Sequence, residues 1–154
     1  MRYYGFTNMY LSSIQVGIQN AHCLVSMGRK YNEDTLIEVG SPQYMFENWA
    51  DNHKTMICLN GGNQAMLNEL AFFFISDDNP FAWDQFFEDE QSLNGCLTCV
   101  GIILPEAIYE AAKEYYECRS YPIETRAGII VEKYNLTEWE LELVTILNTF
   151  KLAN

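Results

Sequence analysis

The chain has 154 residues, 49% hydrophobic and 14% aromatic, a size and composition that suit one folded domain with its own core and exclude intrinsic disorder. Its 21 acidic and 9 basic residues leave a formal net charge of -12, which disfavours nucleic acid, tRNA included, because such binding rests on cations that neutralise phosphates. No apolar stretch approaches the roughly 18 residues of a spanning helix, and no basic-then-apolar leader opens the chain, so a cytoplasmic protein without a membrane partner is expected.

Arg2–Tyr10 is rich in aromatic residues and reads as a first strand. Leu11–Tyr31 reads as a helix. Its Ile14, Ile18, Ala21 and Val25 share one stripe at helical spacing, and Arg29 and Lys30 fall in the last turn, where cations suit the helix dipole. Asn32–Gly40 is a connector with a short extended piece at Thr35–Val39. Ser41-Pro42 starts a helix that runs to His53, with Ser as the cap and Pro in the first turn. Lys54–Asn60 is a strand broken by Gly61-Gly62, and Asn63 caps a helix to about Ser76. Phe81–Phe87 is an aromatic strand, Asn94-Gly95 a turn signal and Cys96–Leu104 a further strand. Pro105 opens a helix to about Cys118. Gly128–Val131 reads as a short strand. Thr137-Glu138-Trp139-Glu140 has the capping-box spelling, so a terminal helix is predicted over Glu138–Leu152, with Trp139, Leu143, Ile146, Leu147 and Phe150 on its apolar side. This alternation predicts an α/β domain of four strands with helices on both faces over residues 1–118. Residues 119–154 are expected to form a C-terminal helical extension packed on that domain.

Chemistry-bearing signals are sparse. The cysteines, Cys23, Cys58, Cys96, Cys99 and Cys118, are irregularly spaced and read as free thiols. Cys96 and Cys99 have the C-x-x-C spelling but lie in a strand, where residues three apart face opposite ways, so structural roles are expected rather than redox or zinc chemistry. There is no P-loop, dinucleotide fingerprint or nucleophile elbow, and neither a cofactor nor a metal is expected. Ser12, Gln15, Gln19 and His22 share one face of the first helix. They form either a polar binding wall or the flank of an ordinary amphipathic helix with a hydrogen-bonded histidine. The chain's acids all follow residue 31, and Asp77, Asp78, Asp84, Glu88, Asp89 and Glu90 occur in a stretch without a base.

Three segments resemble the peptidyl-tRNA hydrolase II family: Gln15-Val16-Gly17-Ile18-Gln19-Asn20-Ala21-His22, Asn48–Leu59 around Trp49, and Phe86–Leu93 followed by Cys99–Pro105. The resemblance covers residues 1–118, and the wording of the chain is also similar to that of early proteins of T4-type phages. The family resemblance implies a mixed sheet with helices on both faces and hydrolysis of the ester between a peptide and tRNA. It implies Gln19, His22 and Asp89 as the catalytic positions. Gln15 stands where the family has Lys, and Glu90-Gln91-Ser92-Leu93 stands where Ala-Gly-Arg-Thr is usual. Loss of a cation near a developing oxyanion costs orders of magnitude in rate. The expectation is therefore a vestigial or altered site on an acidic protein. Its partner would be a macromolecule, a basic protein, met through Asp77, Asp78, Asp84, Glu88 and Glu90. The alternative is a surviving esterase on peptidyl-tRNA or a related aminoacyl ester.

Overall fold

The computed structural model describes residues 1–32 and 37–153, so part of the extended piece expected at Thr35–Val39 lies outside the described residues. The fold is α/β. Strands β1 (Arg2–Thr7), β2 (Met56–Asn60), β3 (Trp83–Phe87), β4 (Leu97–Leu104) and β5 (Lys151–Leu152) form one mixed sheet in the order β3-β4-β1-β2-β5. The sheet therefore has five strands, not the expected four. β1 runs parallel to β2 and antiparallel to β4, which in turn pairs antiparallel with β3. β4 reads as a nearly unbroken apolar run because all its residues are buried, as a central strand covered on both faces requires.

The helices follow their caps. α1 (Ser13–Lys30) begins with a complete capping box between Ser12 and Gln15. α2 (Pro42–Asn48) is capped by Ser41 and continues as one wide turn over Trp49–His53. α3 (Gln64–Phe74) is capped by Asn63. A single turn, α4 (Glu90–Leu93), links β3 to β4. Asn94 and Gly95, both with positive φ, complete that link, as their turn spelling requires.

Contacts divide the chain into two compact units, Met1–Leu104 with the chain end from Leu152, and Pro105–Lys151. In the first unit α1 and Trp49 cover one face of the sheet, where Tyr3, Met27, Trp49, Ala82 and Ile103 pack together. On the other face Phe6 meets Phe74 of α3, ring centroids 6.0 Å apart. The β3 edge is tied down at Trp83. Its N–H donates to the Tyr31 hydroxyl (3.2 Å), and its carbonyl accepts from that hydroxyl (3.2 Å) and from Lys30 (2.9 Å).

The second unit holds α5 (Glu106–Glu117), α6 (Ile123–Tyr134) and α7 (Glu138–Leu147), with α5 packed on both others. Two expectations are corrected here. Gly128–Val131 is not a strand but part of α6. A run of β-branched residues has only a context-dependent strand preference, and burial of Ile130 together with the left-handed stop at Asn135 selects the helix. The terminal helix ends at Leu147, not Leu152. Lys151–Leu152 is extended, and Ala153 N–H donates to the Cys58 carbonyl of β2 at 2.9 Å.

A third correction concerns α1. The stripe of Ile14, Ile18, Ala21 and Val25 does not face the core. Ile14, Ile18 and Val25 are 76%, 47% and 65% exposed, and the buried side is Val16, Gln19, Asn20, Cys23 and Met27. Two amides sit on that inner side because partners on β4, just past β3 and on α1 itself satisfy them, which removes the penalty of burying a polar group.

Candidate functional site

Of the residues singled out in the sequence, Gln19, His22 and Glu88 come together where α1 crosses the end of β3 and β4. Gln19 is 4% exposed and bonded at both its nitrogen and its oxygen. Its Nε2 donates to Glu88 Oε1 at 2.6 Å, and its Oε1 accepts from the Thr98 hydroxyl at 2.9 Å. Thr98 also lies 3.3 Å from the Phe86 carbonyl, so α1, β4 and the end of β3 are joined through one buried amide. A helix turn further on, exposed His22 stacks on the Phe86 ring, with centroids 4.6 Å apart and planes 10° from parallel. Gln15 is exposed, and its carbonyl oxygen accepts from the Ser12 N–H and hydroxyl, both at 2.9 Å, which spends it on the capping box.

The acid that meets Gln19 is Glu88. Asp89 is the next residue, exposed, and its main-chain carbonyl accepts from Leu93 and Gly95 across α4. Glu90 begins α4 and is exposed. Asp84 lies 4.0 Å from Lys30, with its side chain 14% exposed. Lys30 in turn sits 4.4 Å from the Trp83 ring centroid, and burial pulls its pKa below the ordinary lysine value, against the opposing effect of Asp84. Asp77 and Asp78 are exposed in the turn after α3. β3 separates that turn from Glu88–Glu90 by its five residues, a span of roughly 15 Å at strand rise. The acidic residues thus form two groups, with Asp84 withdrawn between them.

Behind Gln19 lies a network that sequence reasoning missed. Asn20 Nδ2 donates to the Val16 carbonyl at 2.8 Å, and its Oδ1 lies 3.6 Å from Cys99 Sγ, which is 3.8 Å from the Tyr3 hydroxyl. Cys23 Sγ lies 3.4 Å from the Asp84 carbonyl. Gly5 and Gly101, paired across β1 and β4, make the room: a Cβ on Gly5 would overlap Asn20, and one on Gly101 would overlap Tyr3. Burial raises the Cys99 thiol and the Tyr3 phenol well above their ordinary pKa values. Cys99 is therefore a protonated thiol at neutral pH and no nucleophile. Cys96, the other half of the C-x-x-C, meets Gln64 of α3 on the opposite side of the sheet.

Acyl transfer needs donors aimed at an open position where an oxyanion develops, plus a base within reach of water. Here the Gln19 amide is closed by two protein partners, and Gln15 brings no charge. The cleft beside α1, lined by Thr7, Asn8, Met9, Leu11, Val16, Asn60 and Ala153, has a volume of about 90 Å³, far below the roughly 300 Å³ and more of sites for drug-sized ligands. Among the described residues no group of three or more His, Cys, Asp and Glu is placed to hold a metal ion, and no helix is long and apolar enough to cross a membrane. Glu88 was named in the sequence only as a partner-facing acid, and the signals that could have found Thr98, or Glu88 as the partner of Gln19, are weak. Thr98 is a lone hydroxyl in an apolar strand, and Glu88 is one acid in a run of three. No family model and no curated protein matches the chain.

Proposed function

We propose that this chain is a catalytically silent, peptidyl-tRNA hydrolase II-like protein that binds a basic protein partner through the outer side of α1 and the acidic turn after β3. The observation that carries the reading is the exposed stripe of Ile14, Ile18 and Val25 on a helix whose inner side is fully packed. Large apolar side chains aligned along one exposed helix face mark an interaction surface more often than scattered ones do. Gln19 and His22 of the same helix reach the end of β3, where Glu88, Asp89 and Glu90 supply negative charge. An apolar stripe beside acids suits a partner with an apolar patch rimmed by Lys and Arg, and charge of this kind sets association rate and salt sensitivity. The closed Gln19 amide and the capped Gln15 favour binding over turnover.

The test combines capture and turnover. Immobilised protein should retain a basic protein from host extract at low salt and release it as salt rises. Ile14→Glu with Ile18→Glu should abolish retention with the far-UV spectrum unchanged, and Asp89→Lys with Glu90→Lys should weaken it and flatten the salt dependence. Deacylation of a peptidyl-tRNA by the wild type, lost in Asp89→Asn, would instead establish the esterase reading.

A further inference from the structure

The second unit contains a pocket that takes no part in the surface described above. It has a volume of about 260 Å³ and lies among α5, α6, α7 and the turn that follows α5. Arg119 and Arg126 line it, two of the chain's four arginines. Each guanidinium is stacked on a tyrosine that also lines the pocket: Arg119 lies 4.5 Å from the Tyr116 ring centroid and Arg126 4.4 Å from that of Tyr115. A cation over an aromatic face is held by the ring and keeps N–H groups for a further partner.

In a chain with 21 acids, neither arginine has a carboxylate within salt-bridge distance among the described residues. Arg119 gives one N–H to the Tyr116 carbonyl at 3.3 Å. Arg126 Nε is buried and meets no acceptor among the described residues. An anion in the pocket supplies the counterion that neither guanidinium has among the described residues. The lining residues from α7 and just after it offer the complementary chemistry. The Thr145 and Thr149 hydroxyls donate to the Leu141 and Ile146 carbonyls, at 3.1 and 2.7 Å, and Asn148 Nδ2 donates to Ala112 and Val144. With these donors spent, the hydroxyl oxygens of Thr145 and Thr149 remain as acceptors, so the lining calls for an anion at the arginines and for hydroxyl donors at the threonines.

We propose that this pocket binds a phosphate monoester of a small hydroxylated compound. The phosphate would lie on the two guanidiniums and the ester's hydroxyls on Thr145, Asn148 and Thr149. A monoester carries a charge of about -1.5 to -2 near neutral pH, which matches two fixed cations better than a monocarboxylate does, and its oxygens accept from both forks.

The test is calorimetric titration of the full chain, at fixed ionic strength, with glycerol 3-phosphate, inorganic phosphate, phenyl phosphate and citrate. Saturable binding of all three phosphates is expected, with glycerol 3-phosphate the tightest. Arg119 is exposed, so Arg119→Ala leaves the fold intact, and it should weaken binding roughly tenfold or more by removing a charge-assisted fork. Arg119→Lys should restore it incompletely, since a point charge lacks the fork, and Arg29→Ala in the other unit should change nothing. The absence of saturable phosphate binding, an Arg119→Ala variant that binds as the wild type does, citrate in preference to phosphate, or glycerol 3-phosphate no tighter than inorganic phosphate would each overturn the assignment.

Discussion

The Gln19–Glu88 contact is the most exacting place to test how α1 is held on the sheet. Gln19→Met keeps length and volume but removes the donor to Glu88 and the acceptor of Thr98. Glu88 is partly buried, so its carboxylate loses a charge-assisted bond of a kind worth roughly 1.5–3 kcal/mol. Thr98 retains the Phe86 carbonyl, so its loss is smaller, under about 1 kcal/mol. The variant should therefore lose about 1.5–4 kcal/mol, a fall in urea midpoint of roughly 0.5 M or more. A cycle with Glu88→Ala isolates the pair, and the coupling energy should be about 1–3 kcal/mol. Urea unfolding followed by fluorescence in a Trp139→Phe background leaves Trp49 and Trp83, both in the first unit, as reporters. A coupling energy under about 0.5 kcal/mol would show that the 2.6 Å contact contributes nothing beyond packing.

Gly5→Ala should destabilise by roughly 1–3 kcal/mol, because the new methyl overlaps Asn20 and forces a packed sheet to shift. Gly101→Ala should do the same through Tyr3, and equal urea midpoints for these variants and the wild type would contradict the close packing of α1 on β1 and β4. Gly17→Ala, at an open helical position, should instead gain about 0.5–1 kcal/mol in the same assay. In native protein at mildly alkaline pH a thiol reagent should label Cys58, Cys96 and Cys118 while Cys23 and Cys99 react on unfolding, and rapid labelling of Cys99 would refute its burial. Because burial raises the folded pKa of Cys99 and Tyr3, the native state keeps protons that the unfolded state has released. The Cys99 contribution is complete below the ordinary thiol value of 9.0 and that of Tyr3 below the ordinary phenol value of 10.0, and each is lost progressively as pH rises from there towards the raised folded value. Stability by urea unfolding should thus fall from pH 8 to pH 10, and Cys99→Ala should lessen the fall.

The four long strands and the starts of α1, α2, α3, α5 and α7 were legible because their determinants are local, whereas α6 was not, its Gly128–Val131 run having the look of a strand. Ser12, Ser41, Asn63 and Thr137 each act on an amide three residues away, and β4 carries its burial on both faces in its own composition. The orientation of α1 was not legible. Its apolar stripe at Ile14, Ile18 and Val25 satisfies the periodicity of a core face, whereas the real inner face includes Gln19 and Asn20. Those amides are acceptable inside because of Thr98, Glu88 and Cys99, residues 69 to 79 positions distant, which no local pattern reports. The same distance hid the site. Gln19 and His22 were named from the helix and do reach β3, but the acid that reaches Gln19 is the neighbour of the one expected. The two-residue β5 escaped because a strand that short has no periodicity, and its pairing depends on an unfilled edge at β2.

The treatment of the β3 edge has a consequence for solubility. In register with β4, the N–H and C=O groups of Trp83, Gln85 and Phe87 point away from the sheet, the pattern on which a foreign strand templates. At Trp83 a single phenol answers both groups, accepting from the one and donating to the other, and so imitates the missing neighbour strand. Removing that hydroxyl in Tyr31→Phe takes away little core but lengthens the run of backbone open to a second chain. The cost of the change therefore falls on colloidal behaviour, as concentration-dependent self-association at high protein load, more than on the unfolding midpoint.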